Sequence, residues 1–179
     1  MTNHKFLADI RGALEQAPRL VEGLVAAAPK DALTWREADG HWNVVEVLCH
    51  LADGEITDWM PRLERMLSGG GRFMPYDREG GFTRYRGWTA EALVGEFGQL
   101  RRVNLEKLTV LNLSAPHLRM TAEHPEFGPV TLEQLLATWA AHDMAHVAQL
   151  SRILTRSFGR QVGPWKKYFS LLAGEETHA

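Results

Sequence analysis

The chain has 179 residues, 45% of them hydrophobic, and a formal net charge of −2 at pH 7. That length suffices for a compact domain with its own core, so we expect residues 1–179 to form a single domain. The charge balance gives no electrostatic reason to bind nucleic acid, and no apolar run approaches the roughly 20 residues that span a bilayer. Residues 1–14 lack the apolar stretch of a signal peptide, and the single cysteine, Cys49, cannot form an internal disulfide. We therefore expect a cytoplasmic protein with no nucleic-acid or membrane partner.

The first half of the chain contains two predicted helices. Apolar side chains at helical spacing predict the first helix over residues 6–28, with Pro18 interrupting the pattern. Asn43 and Glu46, three residues apart, form a capping-box signature at the start of the second helix. That helix is predicted to continue to the run of three glycines that begins at residue 69, with a kink at Pro61.

The second half begins with an irregular segment and then contains two more helices. Residues 72–88 are rich in glycine, arginine and aromatic side chains, which predicts irregular structure. Thr89 is a candidate N-cap for the third helix, and residues 118–130 suggest a small hairpin or extended turn. A second capping-box signature begins at Thr131 and predicts a fourth helix that continues to about Ser157.

The number and spacing of these helices predict the fold class. Four amphipathic helices without a convincing series of strands favour an all-α four-helix bundle. The connection after the second helix is about 20 residues, longer than the two to eight residues usual in bundles, and can cross the bundle. We therefore predict a four-helix bundle with a long crossover after helix two and a small hairpin or extended turn before helix four.

Three histidines are the candidate metal ligands. His142 and His146 are four residues apart, so they project from one face of the fourth helix, and His50 borders the apolar stripe of the second. Neutral imidazole is the commonest side-chain metal ligand, and three such groups would leave one coordination position open for water or substrate. Alternatively, each is a hydrogen-bonded core histidine. However, three buried imidazoles all need polar partners, which one shared metal ion supplies.

Three further polar residues lie close to the histidines in the sequence. Asp53 comes three residues after the first histidine and Asp143 three before the last, so each is a candidate base or a residue that orients an imidazole. For Asp143 the alternative is a solvated helix charge. Gln149 continues the histidine face and could contact substrate or accept the free N–H of a ligand, with plain helix packing as its alternative.

Two segments resemble the signatures of a known family. The stretch WNVVEVLCHLADGE, residues 42–55, is similar to the second-helix signature of the DinB/YfiT-like superfamily. The runs GPVTL, residues 128–132, and HDMAHVAQ, residues 142–149, resemble its fourth-helix signature. Together with the order of the helices, the similarity covers nearly the whole chain.

The resemblance implies a DinB-like bundle that is usually dimeric and binds a divalent metal on His50, His142 and His146. Zinc or nickel is favoured and iron or manganese stays open, because imidazole ligands alone do not choose between them. Relatives include transferases and isomerases that use low-molecular-weight thiols such as mycothiol, bacillithiol or glutathione. We therefore expect a homodimer that acts on a small molecule as a thiol-dependent S-transferase or isomerase. The alternatives are a metal-dependent hydrolase and a metal-binding stress-response dimer without catalysis.

Two arginines in the irregular segment are candidate residues for binding such a thiol. Arg84 and Arg86 alternate with aromatic side chains, and guanidinium groups recognise the carboxylates that glutathione-type thiols contain. The alternative is a solvated loop anchored by its aromatic residues. A zincin-type peptidase is disfavoured, because Asp143 replaces the glutamate of the H-E-x-x-H motif and no downstream ligand follows in a fitting context.

Overall fold

The structure is a computed structural model and describes residues 3–172. Short 3₁₀ turns cover Lys30–Leu33 and Gly163–Tyr168. The helices and strands, in chain order, are α1 (Asn3–Ala27), α2 (Val44–Thr57), α3 (Trp59–Leu67), α4 (Gly80–Arg84), α5 (Ala90–Leu111), α6 (Ala115–Leu118), β1 (Thr121–His124), β2 (Gly128–Thr131), α7 (Leu132–Ser157) and α8 (Gly159–Val162).

The long helices form the predicted all-α four-helix bundle. Its members are α1, α2 continued by α3, α5 and α7; α1 packs against α5 and α7, and α2 packs against the same two helices. Buried apolar side chains form two clusters, one around Leu63 and Trp139 and the other around Val47, Phe97 and Leu150. Across residues 3–172 no helix has both the length and the apolar character needed to cross a membrane.

Prolines affect two helices differently from the prediction. The predicted interruption at Pro18 is wrong, because α1 continues through it, with Leu14 and Val21 buried on either side. Packing of that continuous face compensates for the single hydrogen bond that proline removes. The predicted kink at Pro61 is instead a break at Asp58, between α2 and α3. Proline has no N–H to donate to the carbonyl four residues earlier, so the helical pattern fails in the preceding turn.

The predicted caps and hairpin are confirmed. At the start of α2, the Asn43 side chain accepts a hydrogen bond from the Glu46 backbone N–H at 3.0 Å. At the start of α7, the Thr131 hydroxyl accepts one from the Gln134 N–H at 3.2 Å. Strands β1 and β2 pair antiparallel, with Thr121 opposite Thr131. The hairpin therefore leads directly into the helix that contains two of the three candidate ligands.

The long link between α3 and α5 is held at two places and is more ordered than the sequence predicts. The Phe73 N–H donates to the Glu123 carbonyl at 2.8 Å, which joins the link to β1. Further along, the link forms α4, where Gly81 lies against α2: a Cβ at Gly81 would be 2.6 Å from the Cys49 carbonyl oxygen. This close approach holds the link beside His50, the residue that follows Cys49.

Candidate metal site

Three imidazoles converge where α2 faces α7. The Nε2 atom of His142 lies 2.9 Å from Nε2 of His50 and 3.1 Å from Nε2 of His146. One nitrogen from each ring can be chosen so that all three lie within 4.8 Å of one another. Two nitrogens bound to one tetrahedral zinc ion are about 3.4 Å apart, so the rings need to open only slightly to admit an ion.

The outer nitrogens of two rings are hydrogen-bonded in a way that turns their lone pairs toward the centre. The His146 Nδ1–H donates to Oε1 of Gln149 at 2.7 Å, and the His50 Nδ1–H donates to the carbonyl of Arg78 at 3.2 Å. The Tyr76 hydroxyl oxygen lies 3.3 Å from the same His50 nitrogen. With the proton on Nδ1, each Nε2 is an unprotonated electron-pair donor, which is how metal-binding histidines are usually oriented.

Two of the three imidazoles are held in the neutral form that a metal ion requires. His50 is 3% exposed and His146 is 9% exposed. Burial, reinforced by the neighbouring imidazoles, lowers the pKa of His50 to about 3. Burial and the proximity of His142 lower the pKa of His146 to about 4. Both rings are therefore uncharged at neutral pH, so a cation does not compete with protons for them.

The third ring provides an independent test of whether the site fits a metal ion. Nδ1 of His142 and Oδ1 of Asp143 are both buried without a hydrogen-bond partner, and they lie 3.7 Å apart. If His142 held its proton on Nε2, to bridge the other two rings, its Nδ1 would be a buried acceptor with no donor. If all three Nε2 atoms bind a cation, the His142 proton lies on Nδ1 and faces the Asp143 carboxylate. The metal-bound arrangement thus places an N–H 3.7 Å from a buried carboxylate oxygen, instead of leaving two buried acceptors facing each other.

Asp143 belongs to a buried network that sequence reasoning missed. The Arg101 guanidinium donates to Oδ2 of Asp143 at 2.6 Å and to both carboxylate oxygens of Glu55, at 2.7 and 3.0 Å. Asn104 and the indole of Trp139 also donate to the Glu55 carboxylate. Although burial opposes it, the two carboxylates raise the pKa of Arg101. Because Asp143 is ion-paired with Arg101, it is poorly suited to act as the general base of a peptidase, the role that the H-x-x-x-H spacing allowed.

The other candidate residues, Asp53, Arg84 and Arg86, form no hydrogen bond with the three histidines. Asp53 accepts hydrogen bonds from Arg84 Nε at 2.6 Å and from the Thr57 hydroxyl at 2.9 Å. It lines a cleft of about 440 Å³, whose wall includes Tyr76. Arg86 is exposed. Metal binding by the histidines, catalytic roles for Asp53, Asp143 and Gln149, and thiol binding by Arg84 and Arg86 all stay predictions.

Aromatic side chains enclose the site. The Trp42 ring lies 5.0 Å from the His50 ring, and the Trp59 ring lies edge-on to His142 at 5.0 Å between centroids. Cys49, next to His50, is buried among apolar side chains, and burial raises the pKa of its thiol to about 11. Since the thiolate is the nucleophilic form, Cys49 is inert at neutral pH.

A four-helix bundle in which two helices bring three imidazoles together is a candidate metalloprotein. The chain belongs to the DinB superfamily, whose sequence profile matches residues 13–150. Among solved structures it is similar to YfiT from Bacillus subtilis, described as a probable metal-dependent hydrolase with an unusual four-helix bundle topology. That similarity has a TM-score of 0.75 at 20% sequence identity and covers 88% of this chain and 90% of that one, which shows a shared fold. A comparison with curated proteins gave no match.

Proposed function

We propose that this protein is a divalent-metal-dependent enzyme whose metal ligands are His50, His142 and His146. The observation that supports the proposal most directly is the convergence of three imidazoles on one point, two of them buried and neutral. A divalent ion bound there would lower the pKa of a water or thiol in its open position and so supply a nucleophile at neutral pH.

The surrounding residues have separate tasks in this proposal. The Arg78 carbonyl and the Gln149 amide fix the orientation of two ligand rings, because each accepts the Nδ1 proton. Trp42 and Trp59 restrict the access of bulk water, since each packs against a ligand ring. The neighbouring cleft, which Tyr76 separates from the histidines, offers space for the body of a small-molecule substrate.

Transfer or isomerisation that uses a low-molecular-weight thiol is the leading reaction class. In a transfer, the thiol sulfur would form a bond to an electrophilic carbon while the leaving group departs with the bonding pair. The protein itself provides no reactive thiol among residues 3–172, because Cys49 is buried with a raised pKa. A thiol used in the reaction must therefore be a bound small molecule. This preference follows the resemblance of the two helix signatures.

Hydrolysis is a second candidate, favoured by the similarity to YfiT. In that case a water molecule would take the place of the thiol as the nucleophile. Both reactions use the same ligands and the same open position, so the geometry of the histidines is compatible with either. The choice between them depends on which nucleophile the loaded protein accepts.

The metal site is tested by measuring metal content. Untagged protein and the variants His146→Ala and His41→Ala are purified side by side and analysed by mass spectrometry. His41 is an exposed histidine in the loop before α2 and serves as the matched control. We expect about one equivalent of divalent metal in the wild type and in His41→Ala, and a large loss in His146→Ala. Absence of metal from the wild type, even after reloading with zinc and nickel, would refute the proposal.

The reaction class is tested on the metal-loaded protein. Consumption of glutathione in the presence of a generic electrophile is compared with the release of phenolate from an activated ester. Thiol consumption that disappears in His146→Ala supports transfer, and ester cleavage that disappears in the same variant supports hydrolysis. If neither activity depends on His146, the site binds metal without catalysis, as in the non-catalytic alternative.

A further inference from the structure

We propose that Arg78 binds a carboxylate, or a similar anionic group, of the small molecule that occupies the histidine site. The inference rests on the proposed metal-dependent function and adds the charge of its substrate or thiol. Arg78 lies in the link between α3 and α4, in the arginine-rich segment 72–88.

The position of Arg78 is fixed from two sides. Its carbonyl accepts the hydrogen bond from His50 Nδ1 at 3.2 Å, so its backbone is in contact with the site. Its guanidinium lies over the Trp42 ring, 5.6 Å from the ring centroid, and the same ring packs against His50. A cation–π contact of this kind restrains the side chain without using any of its N–H donors. The exposed guanidinium is thus held over a ring that itself packs against His50, with its hydrogen-bonding capacity free.

Arg78 also differs from Arg62, Arg84 and Arg101 in having no acidic partner. Its sequence neighbours Asp77 and Glu79 do not pair with it, and within residues 3–172 no carboxylate forms an ion pair with its guanidinium. By contrast, each of the four buried carboxylates among these residues is bound by an arginine, in the pairs Asp53–Arg84, Asp58–Arg62, Asp143–Arg101 and Glu55–Arg101.

The resulting charge balance favours an anionic ligand. Neutral imidazoles do not reduce the charge of a divalent ion, and the arginines already offset three of the four negative charges of the buried carboxylates. The backbone of Arg78 contacts His50 and its guanidinium shares the Trp42 ring with that histidine, so its positive charge lies on the same side of the site. A ligand with a nucleophilic or metal-binding group at one end and a carboxylate at the other would satisfy both centres, since guanidinium pairs well with carboxylate.

The test uses a matched pair of thiols on cobalt-loaded protein. Binding of 3-mercaptopropionate and of 3-mercapto-1-propanol is measured by titrating the sulfur-to-cobalt absorbance band. Wild type is expected to bind 3-mercaptopropionate roughly tenfold more tightly than 3-mercapto-1-propanol, the usual contribution of a charge-assisted hydrogen bond to affinity. Arg78→Ala should lose most of this preference and Arg78→Lys should recover part of it. Arg19→Ala, which removes an exposed arginine on α1, should behave as wild type.

Each outcome has a defined meaning. A preference that is absent in the wild type, or unchanged in Arg78→Ala, would overturn the inference and leave the metal-dependent function intact. A preference that is unchanged in Arg78→Ala would mean that the carboxylate of 3-mercaptopropionate binds cobalt directly. Loss of cobalt from Arg78→Ala would also overturn it, because the side chain would then support the site rather than bind the ligand. Failure of the wild type to bind cobalt, or to bind either thiol, would count against the proposed thiol-dependent function itself.

Discussion

Removal of the Arg101 guanidinium should strongly destabilise the bundle. In Arg101→Met, the carboxylates of Glu55 and Asp143 would keep their buried positions but lose the cation between them. Arg101 is only 1% exposed, and its N–H groups also bond the Leu14 carbonyl at 2.7 Å. The variant therefore leaves two carboxylates and one carbonyl without their main donor in a site that water does not reach.

The expected loss in the free energy of unfolding is about 3–5 kcal/mol, the cost of removing one partner from a buried ion pair. That is a large share of the 5–15 kcal/mol typical of a whole domain, so the variant could be only marginally folded. Arg102→Met is the matched control, because Arg102 is next along α5 but pairs with Glu106 at the surface, where both side chains are more than half exposed. We expect the control to lie within about 0.5 kcal/mol of wild type.

Urea denaturation of the metal-free proteins, followed by circular dichroism, measures both changes. Metal-free protein is used so that ligand binding does not add to the apparent stability. If Arg101→Met and Arg102→Met unfold at the same urea concentration, the buried network contributes nothing to the fold. The reasoning from its hydrogen bonds would then be wrong.

Three further predictions concern the site and the link beside it. Gln149→Leu should weaken zinc binding about tenfold in a competition assay with a chromophoric chelator, because His146 loses its acceptor; unchanged affinity would contradict this. In the folded state the pKa of His50 is about 3 and that of His146 about 4, whereas in the unfolded chain both are near 6.5. Between the folded and unfolded pKa values, the unfolded state therefore binds more protons than the folded state. Stability of metal-free protein should thus fall as the pH drops below about 6.5, and a urea midpoint that stays flat from pH 7 to 5 would refute it. Gly81→Ala should be destabilising because its Cβ meets the α2 backbone, whereas Gly95→Ala, on an open helix face, should be neutral or stabilising in the same urea assay.

The sequence was sufficient for features set by local chemistry. Capping residues determined where α2 and α7 begin, and the spacing of four between His142 and His146 placed both rings on one helix face. The approach of the third histidine to the other two was predictable because His50 borders the apolar stripe of α2. These features depend on residues near one another in the chain, so periodicity and turn chemistry reveal them.

Features that depend on pairing between distant segments were not predictable in the same way. Arg101 donates hydrogen bonds to Asp143 and Glu55, which are 42 and 46 positions away from it in the sequence. Sequence periodicity does not specify which acidic residue an arginine pairs with. A signal was nevertheless present, because Arg101 lies four residues from both Phe97 and Leu105, within the apolar face of α5. Glu55 similarly follows the buried Leu51 by four. Charged residues in apolar faces on two helices indicate a buried ion pair, although not its partners.

The ion network and the histidines are parts of one arrangement. Helix α2 provides both His50 and Glu55, and helix α7 provides Asp143 together with the other two histidines. By binding Glu55 and Asp143 at once, Arg101 of α5 fixes the separation of the two helices that hold the candidate ligands. Metal–nitrogen bonds tolerate only a few tenths of an ångström, so the site needs this separation to be set before an ion arrives. A buried ion pair is an expensive way to stabilise a core, and its value here is that it specifies one helix spacing.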